Sequence, residues 1–208
     1  MICIWNAGSS GKPPLLASAS SGLASTGEQR AYIDSILRRY HLADLKPLET
    51  PMDTSTRLTV KQAPASAAEH AIMRDVPYRE AVGALNWAAL ATRPDIAFAV
   101  TTVARFTANP GPTYWEAVKR IYRYLAGTRD LWLSYGETRR ALEGYADADG
   151  SMAEDRHAIS DCAFLIDGGA VSWSSKRQEI VSLFPDGERV RGRDAWHEGG
   201  PLVAEPPV

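Results

Sequence analysis

The stretch Tyr145-Ala146-Asp147-Ala148-Asp149 has the clearest capacity for chemistry in this sequence. Two carboxylates two positions apart share a face if the segment is a strand, because strand side chains alternate. On one face they repel unless a cation lies between them, which is the arrangement magnesium sites use. A strand end opening into a solvated loop is written in the same letters. Other familiar chemistries find no foothold. His41, His70, His157 and His197 stand at no metal-ligand spacing, and HExxH is absent. There is no GxSxG elbow and no GxGxxG turn. Gly8-Ser-Ser-Gly11-Lys12 glances at a phosphate-binding loop, but Asn6 stands where the first Gly belongs and Pro13 where Ser or Thr belongs.

The chain that must position these residues has 208 of them, 45% hydrophobic and 23% charged, a globular composition. No apolar run approaches the length of a membrane-spanning helix, and the start lacks the basic region of a secretion signal. With Cys3 and Cys162 far apart and no CxxC pair, the expectation is an intracellular, reducing location, in cytoplasm or nucleus. Net charge is −2, unevenly spread: residues 105–140 hold seven Lys/Arg against three Asp/Glu, and residues 141–208 hold six against thirteen. The basic middle permits nucleic-acid contact.

Residues 1–24, rich in Ser, Gly and Ala, read as a disordered lead-in. Ser25 with Glu28, or Thr26 with Gln29, has capping-box spacing before a helix carrying Tyr32, Ile33, Ile36, Leu37 and Tyr40. Residues 44–77 hold four prolines and read as a linker or extended wrap. Three further helices follow. One spans about Tyr78–Ala91. The next starts at Pro94 and carries Ile96, Val100, Val103 and Phe106. The third starts near Thr113 as N-cap and carries Trp115, Val118, Ile121, Tyr122 and Leu125, with Gly127 as the residue past its end. The period then changes. Leu131–Tyr135, Leu142–Ala146, Cys162–Ile166 and Val171–Ser174 read as strands, with Asp167-Gly168-Gly169 as a hairpin turn. Residues from Pro185 onward read as an unpacked tail. The fold class is α+β, helical over 25–130 and β over 131–184.

Several strings in order carry a family resemblance: Tyr78-Arg-Glu-Ala-Val82, Ala91-Thr-Arg-Pro-Asp-Ile-Ala97, Trp115-Glu-Ala-Val-Lys-Arg-Ile121, Tyr124-Leu-Ala-Gly-Thr128, Gly144-Tyr-Ala-Asp-Ala-Asp149 and Ser172-Trp-Ser-Ser-Lys176. Over about residues 29–183 the chain resembles copia-type retrotransposon polyproteins, from the end of the reverse transcriptase into the start of the ribonuclease H domain. The resemblance implies a helical thumb- or connection-like region followed by a partial ribonuclease H-like sheet. It implies Asp147 as the first catalytic aspartate of that sheet, with Asp149 beside it, and Mg²⁺ as the family's cofactor. It also implies a nucleic-acid duplex as partner, with Lys119, Arg120, Arg123 and Arg129 as candidate phosphate contacts. A solvated charged face is the alternative for those four.

The departures set the functional expectation. The family's Tyr-x-Asp-Asp polymerase string does not occur in residues 1–28, so no polymerase site is expected. Gly150 replaces an aromatic residue after Asp149, and Arg189 stands at the position of the next catalytic glutamate, with Glu188 one residue away. Pro185 and Gly187 disfavour the helix that should carry it. The resemblance ends abruptly near Leu183. The sequence therefore reads as a truncated polyprotein fragment, inactive alone and binding no Mg²⁺ tightly. The alternative is a retained nucleic-acid-binding or protein-interaction module, in which Tyr114, Trp115, Trp132 and Trp173 would face solvent or a partner.

Overall fold

A computed structural model describes residues 16–18, 27–53, 55, 57–133, 135, 142–149 and 159–177. The capping candidates Ser25 and Thr26, the region of Glu188 and Arg189, the 185–208 tail and residues 1–24 other than 16–18 lie outside that set. The described chain is α+β. The described residues include five helices: α1 (Gly27–Arg39), α2 (Ala67–Met73), α3 (Tyr78–Ala91), α4 (Ala97–Ala104) and α5 (Pro112–Gly127). A short strand β1 (Leu16–Ser18) pairs antiparallel with β2 (Leu131–Leu133). The strands β3 (Glu143–Asp149), β4 (Ile159–Ile166) and β5 (Gly169–Arg177) form an antiparallel sheet in that order. Residues 16–18, inside the compositionally low-complexity lead-in, are thus paired as strand.

The helical core follows the apolar periods. Ile33, Ile36, Leu37 and Tyr40 of α1, Val82, Leu85 and Ala89 of α3, Val100 and Val103 of α4, and Val118, Ile121, Tyr122 and Leu125 of α5 are buried in one cluster. Tyr114 is fully buried, its ring stacked on Phe106 with centroids 4.0 Å apart. Trp115, Trp132 and Trp173 are half-buried. Of the four aromatics that the interaction-module alternative set facing solvent or a partner, Tyr114 is enclosed in the core and the other three are partly covered. The exposed large apolar residues are others, notably Trp87 and Leu90 on α3, 54% and 66% accessible.

Three local expectations need correction. Residues 44–77 contain a 3-10 turn at Val60–Gln62 and helix α2. Ser66 accepts from the Glu69 amide while Glu69 Oε2 accepts from the Ser66 amide, a reciprocal cap at Ser-x-x-Glu spacing. Helix α5 starts one residue early, with Gly111 as cap and Pro112 in the first turn, where its missing N–H costs nothing. Gly127 is the last residue of α5 and has no positive φ; its smallness matters instead, because an added Cβ would lie 3.0 Å from Pro47 Cβ.

Helix α1 ends without the usual glycine. The His41 amide donates to the Arg38 carbonyl and the Leu42 amide to the Leu37 carbonyl, with His41 at φ +56° and Leu42 buried. This is a Schellman stop with histidine in the left-handed position, where a side chain costs roughly 1 kcal/mol that glycine avoids. His41→Gly is therefore expected to stabilise the chain by about 0.5–1 kcal/mol, read from the midpoint of urea unfolding; a loss of stability would show that the imidazole makes a compensating contact.

Candidate functional site

Three arrangements bring together the residues singled out by the sequence. The first lies where the α3–α4 junction meets the end of α5. Thr92, Arg93, Pro94 and Asp95 form that junction, and Pro94 opens a 3-10 turn that runs into α4. Arg93 is fully buried. Its Nε donates to Asp95 Oδ1 at 2.9 Å and its Nη2 to Asp95 Oδ2 at 2.6 Å. The guanidinium then reaches across the core: Nη1 donates to the Thr128 carbonyl at 3.1 Å and Nη2 to Thr128 Oγ1 at 2.6 Å. Tyr124 donates its hydroxyl to Asp95 Oδ2 at 2.8 Å, and Thr128 Oγ1 donates back to the Tyr124 carbonyl. Arg93 also lies over the Tyr124 ring, 5.6 Å from its centroid. Burial weakens the charged guanidinium, but Asp95 and Tyr124 outweigh it, and Arg93 sits above its ordinary pKa. Two of the family-bearing strings, around Arg93 and around Tyr124–Thr128, are therefore two halves of one buried network. Arg93, Asp95 and Tyr124 are buried, and the network ties the α3–α4 junction to the end of α5.

The second arrangement holds the four basic candidates, and each has a partner within the chain. Lys119 Nζ lies 2.6 Å from Glu116 Oε1. Arg120 donates to Thr50 Oγ1 at 2.9 Å and lies 3.7 Å from Asp53 Oδ2. Arg123 Nε donates to the Lys46 carbonyl at 2.7 Å, and the Leu48 amide donates to the Arg123 carbonyl. Together Arg120 and Arg123 hold the 46–53 wrap against α5. Arg129 lies 3.4 Å from Asp34 Oδ1, and these two, with Leu37, Arg38 and Ala43, line an open groove of about 300 Å³. Sequence reading saw the charge and not the partners.

The third arrangement is the sheet. The strand carrying Asp147 and Asp149 runs through both positions, as alternation onto one face requires. Among the described residues it pairs with β4 alone, at the edge of the sheet. In register Asp147 faces Asp161 of β4, and Asp161 faces Ser175 of β5; Asp149 faces Ile159. Asp161 was not among the sequence candidates, since only the register brings it beside Asp147. The hairpin expected at Asp167-Gly168 is present, both residues at positive φ as a primed turn needs. Among the described residues no group of three His, Cys, Asp or Glu stands close enough to hold a metal ion. No described helix is long and apolar enough to cross a membrane.

The described chain is thus an α+β protein: a helical body tied by a buried arginine, followed by an antiparallel sheet whose first strand carries Asp-x-Asp. Comparison with known proteins places it further. The chain is 44% identical over 158 residues to the retrovirus-related Pol polyprotein from transposon TNT 1-94 of Nicotiana tabacum, covering 74% of this chain and 12% of that protein. It is 36% identical over 157 residues to the corresponding polyprotein from transposon RE2 of Arabidopsis thaliana, covering 74% of this chain and 10% of that one. It is also 43% identical over 113 residues to secreted RxLR effector protein 161 of Plasmopara viticola, covering 53% of this chain and 80% of that protein. No family model and no solved structure matches. The chain belongs to the family of retrovirus-related Pol polyproteins of copia-type transposons, and is homologous to about one-eighth of the tobacco polyprotein's length.

The buried tyrosines give the body a pH limit. Burial raises the Tyr78, Tyr122 and Tyr124 hydroxyls far above their ordinary 10.0, and Asp95 raises Tyr124 further. Above pH 10.0 the unfolded chain loses these protons while the folded chain keeps them, so stability is full below that value and falls as pH rises past it. Tyr124→Phe is expected to make the decline shallower by about 1.4 kcal/mol per pH unit, measured by denaturant unfolding across the alkaline range; an unchanged slope would show that Tyr124 ionises in the folded state.

Proposed function

We propose that the chain is the stretch of a retrotransposon Pol polyprotein that runs from the helical end of the reverse transcriptase into the ribonuclease H-like domain, and that it catalyses neither reaction alone. The observation that carries this reading is the placement of Gly144-Tyr-Ala-Asp-Ala-Asp149 on the leading strand of an antiparallel three-strand meander, directly after the helical body. That placement supports reading Asp147 as the counterpart of the family's first nuclease aspartate.

Two-cation phosphodiester hydrolysis needs carboxylates from several elements, so that both the attacking and leaving oxygens are stabilised. In this chain Asp147 and Asp149 come from one strand, and the sequence carries Arg189 where the resemblance calls for a glutamate. Two positions on one strand fill only part of the six-oxygen shell of Mg²⁺. Among the described residues no set of ligands completes that site, and no step is routed through it. The string Tyr-x-Asp-Asp occurs nowhere in the chain, which removes the polymerase carboxylates from this polypeptide.

A duplex-binding module is the weaker alternative, because Lys119, Arg120, Arg123 and Arg129 already serve the chain's own carboxylates, hydroxyls and carbonyls. Contact with phosphate would have to compete with those bonds. The test is an RNA–DNA hybrid incubated with the chain and Mg²⁺ or Mn²⁺, beside Asp147→Asn. No cleavage above a blank is expected from either. Cleavage by the native chain that disappears in Asp147→Asn would overturn the reading and show that other carboxylates complete the centre.

A further inference from the structure

The described β3–β5 sheet has very little core of its own. Ala163, Leu165 and Ala170 are its only buried apolar residues, helped by half-buried Leu133 and Trp173. Two of those three are alanines. A small sheet needs a covered apolar face to be stable, and the described strands supply little of that cover themselves. What it has is a docking contact. Strand β5 packs on α4, where Thr101 Oγ1 donates to the Ser175 carbonyl at 2.9 Å. Two positions back along β5, Trp173 Nε1 donates to the Ala89 carbonyl at 2.8 Å.

That second bond falls at a sensitive place. Ala89 lies in the last turn of α3, where carbonyls run out of helical donors. The Thr92 amide donates to Ala88, its ordinary helical partner, and the Arg93 amide, which would serve Ala89 in a continuing helix, donates to Ala88 as well. The Ala89 carbonyl is given the indole N–H instead. A side chain of the sheet therefore caps a helix of the body, and the capped turn leads straight into the Arg93 network. The indole's cross-strand partner is Ala163, the centre of the sheet's small core. One side chain thus joins the weakest core in the chain to the best-fixed helix end.

We infer that Trp173 is a latch: the β3–β5 sheet is held in its fold by docking on α3 and α4, opens more readily than the helical body, and opens by release of this indole. The Ser172–Lys176 string is then a docking segment, and Trp173 is a positioning residue for the strand bearing Asp147. This does not rest on the reading of function above, since an inactive and an active chain would dock in the same way.

The test is hydrogen exchange on the full chain carrying Trp173→Phe, which keeps an aromatic ring and removes the donor. Protection at the Cys162 and Phe164 amides of β4 is expected to fall roughly five- to tenfold, the worth of one hydrogen bond, while Ile121–Leu125 amides of α5 are unchanged. Thr101→Val, which deletes the neighbouring bond, is expected to act in the same direction and carries the test if the tryptophan variant does not fold. Unchanged sheet protection in both variants would overturn the latch. So would equal acceleration in the sheet and α5, which would mean one indivisible unit.

Discussion

Everything in the helical body is arranged around one buried guanidinium. Arg93 is fully enclosed, and an enclosed charge is tolerated only with a counter-charge and its remaining donors satisfied. Asp95, two residues on, supplies the counter-charge, and Thr128, 35 positions away, takes the other side of the fork. Because the guanidinium is planar, its partners must lie in nearly one plane. That requirement fixes the turn at Pro94, the end of α5 and the approach of α3 and α4 together. Such a pair contributes little against an apolar replacement, but losing one member leaves a bare charge inside. It acts as a demand on geometry more than as a source of stability.

The surrounding bonds repeat the pattern of one polar tip tying two elements. Tyr78 donates to the Val103 carbonyl, Tyr114 to Thr59, and Tyr122 to Ala81. Each buried ring contributes apolar area, and its hydroxyl names the neighbour it must meet. Arg120 and Arg123 do the same at the surface, pinning the 46–53 wrap across α5. The sheet is attached through Trp173 and Thr101 to α3 and α4, beside the arginine network.

Most of this framework is legible in the sequence where one period dominates. Helices α3, α4 and α5 and the strands after Leu131 follow from apolar spacing, and the Asp167-Gly168 turn from the demand for positive φ. What escaped has physical reasons. Prolines around 44–77 masked α2, although Ser66 and Glu69 carried its cap in plain spacing. The stop of α1 uses His41 in a place where glycine is the usual sign. Pairing of residues 16–18 with 131–133 leaves no local trace in either segment. The basic residues could be recognised as charged, but charge alone does not say whether the partner is a phosphate or the chain's own Asp53. Asp147 and Asp149 were visible as a pair, whereas Asp161 beside them exists only in the register.

The most direct test of the arginine's primacy is a double-mutant cycle on Arg93→Met and Asp95→Leu, with unfolding free energies from urea titration. Each single variant should lose about 3–5 kcal/mol, because it strands the opposite charge inside the body. The double variant should lose far less than the sum, since no charge is then left unpaired. Single losses within about 0.5 kcal/mol, the range of ordinary surface substitutions, or simple additivity in the double variant, would contradict the account.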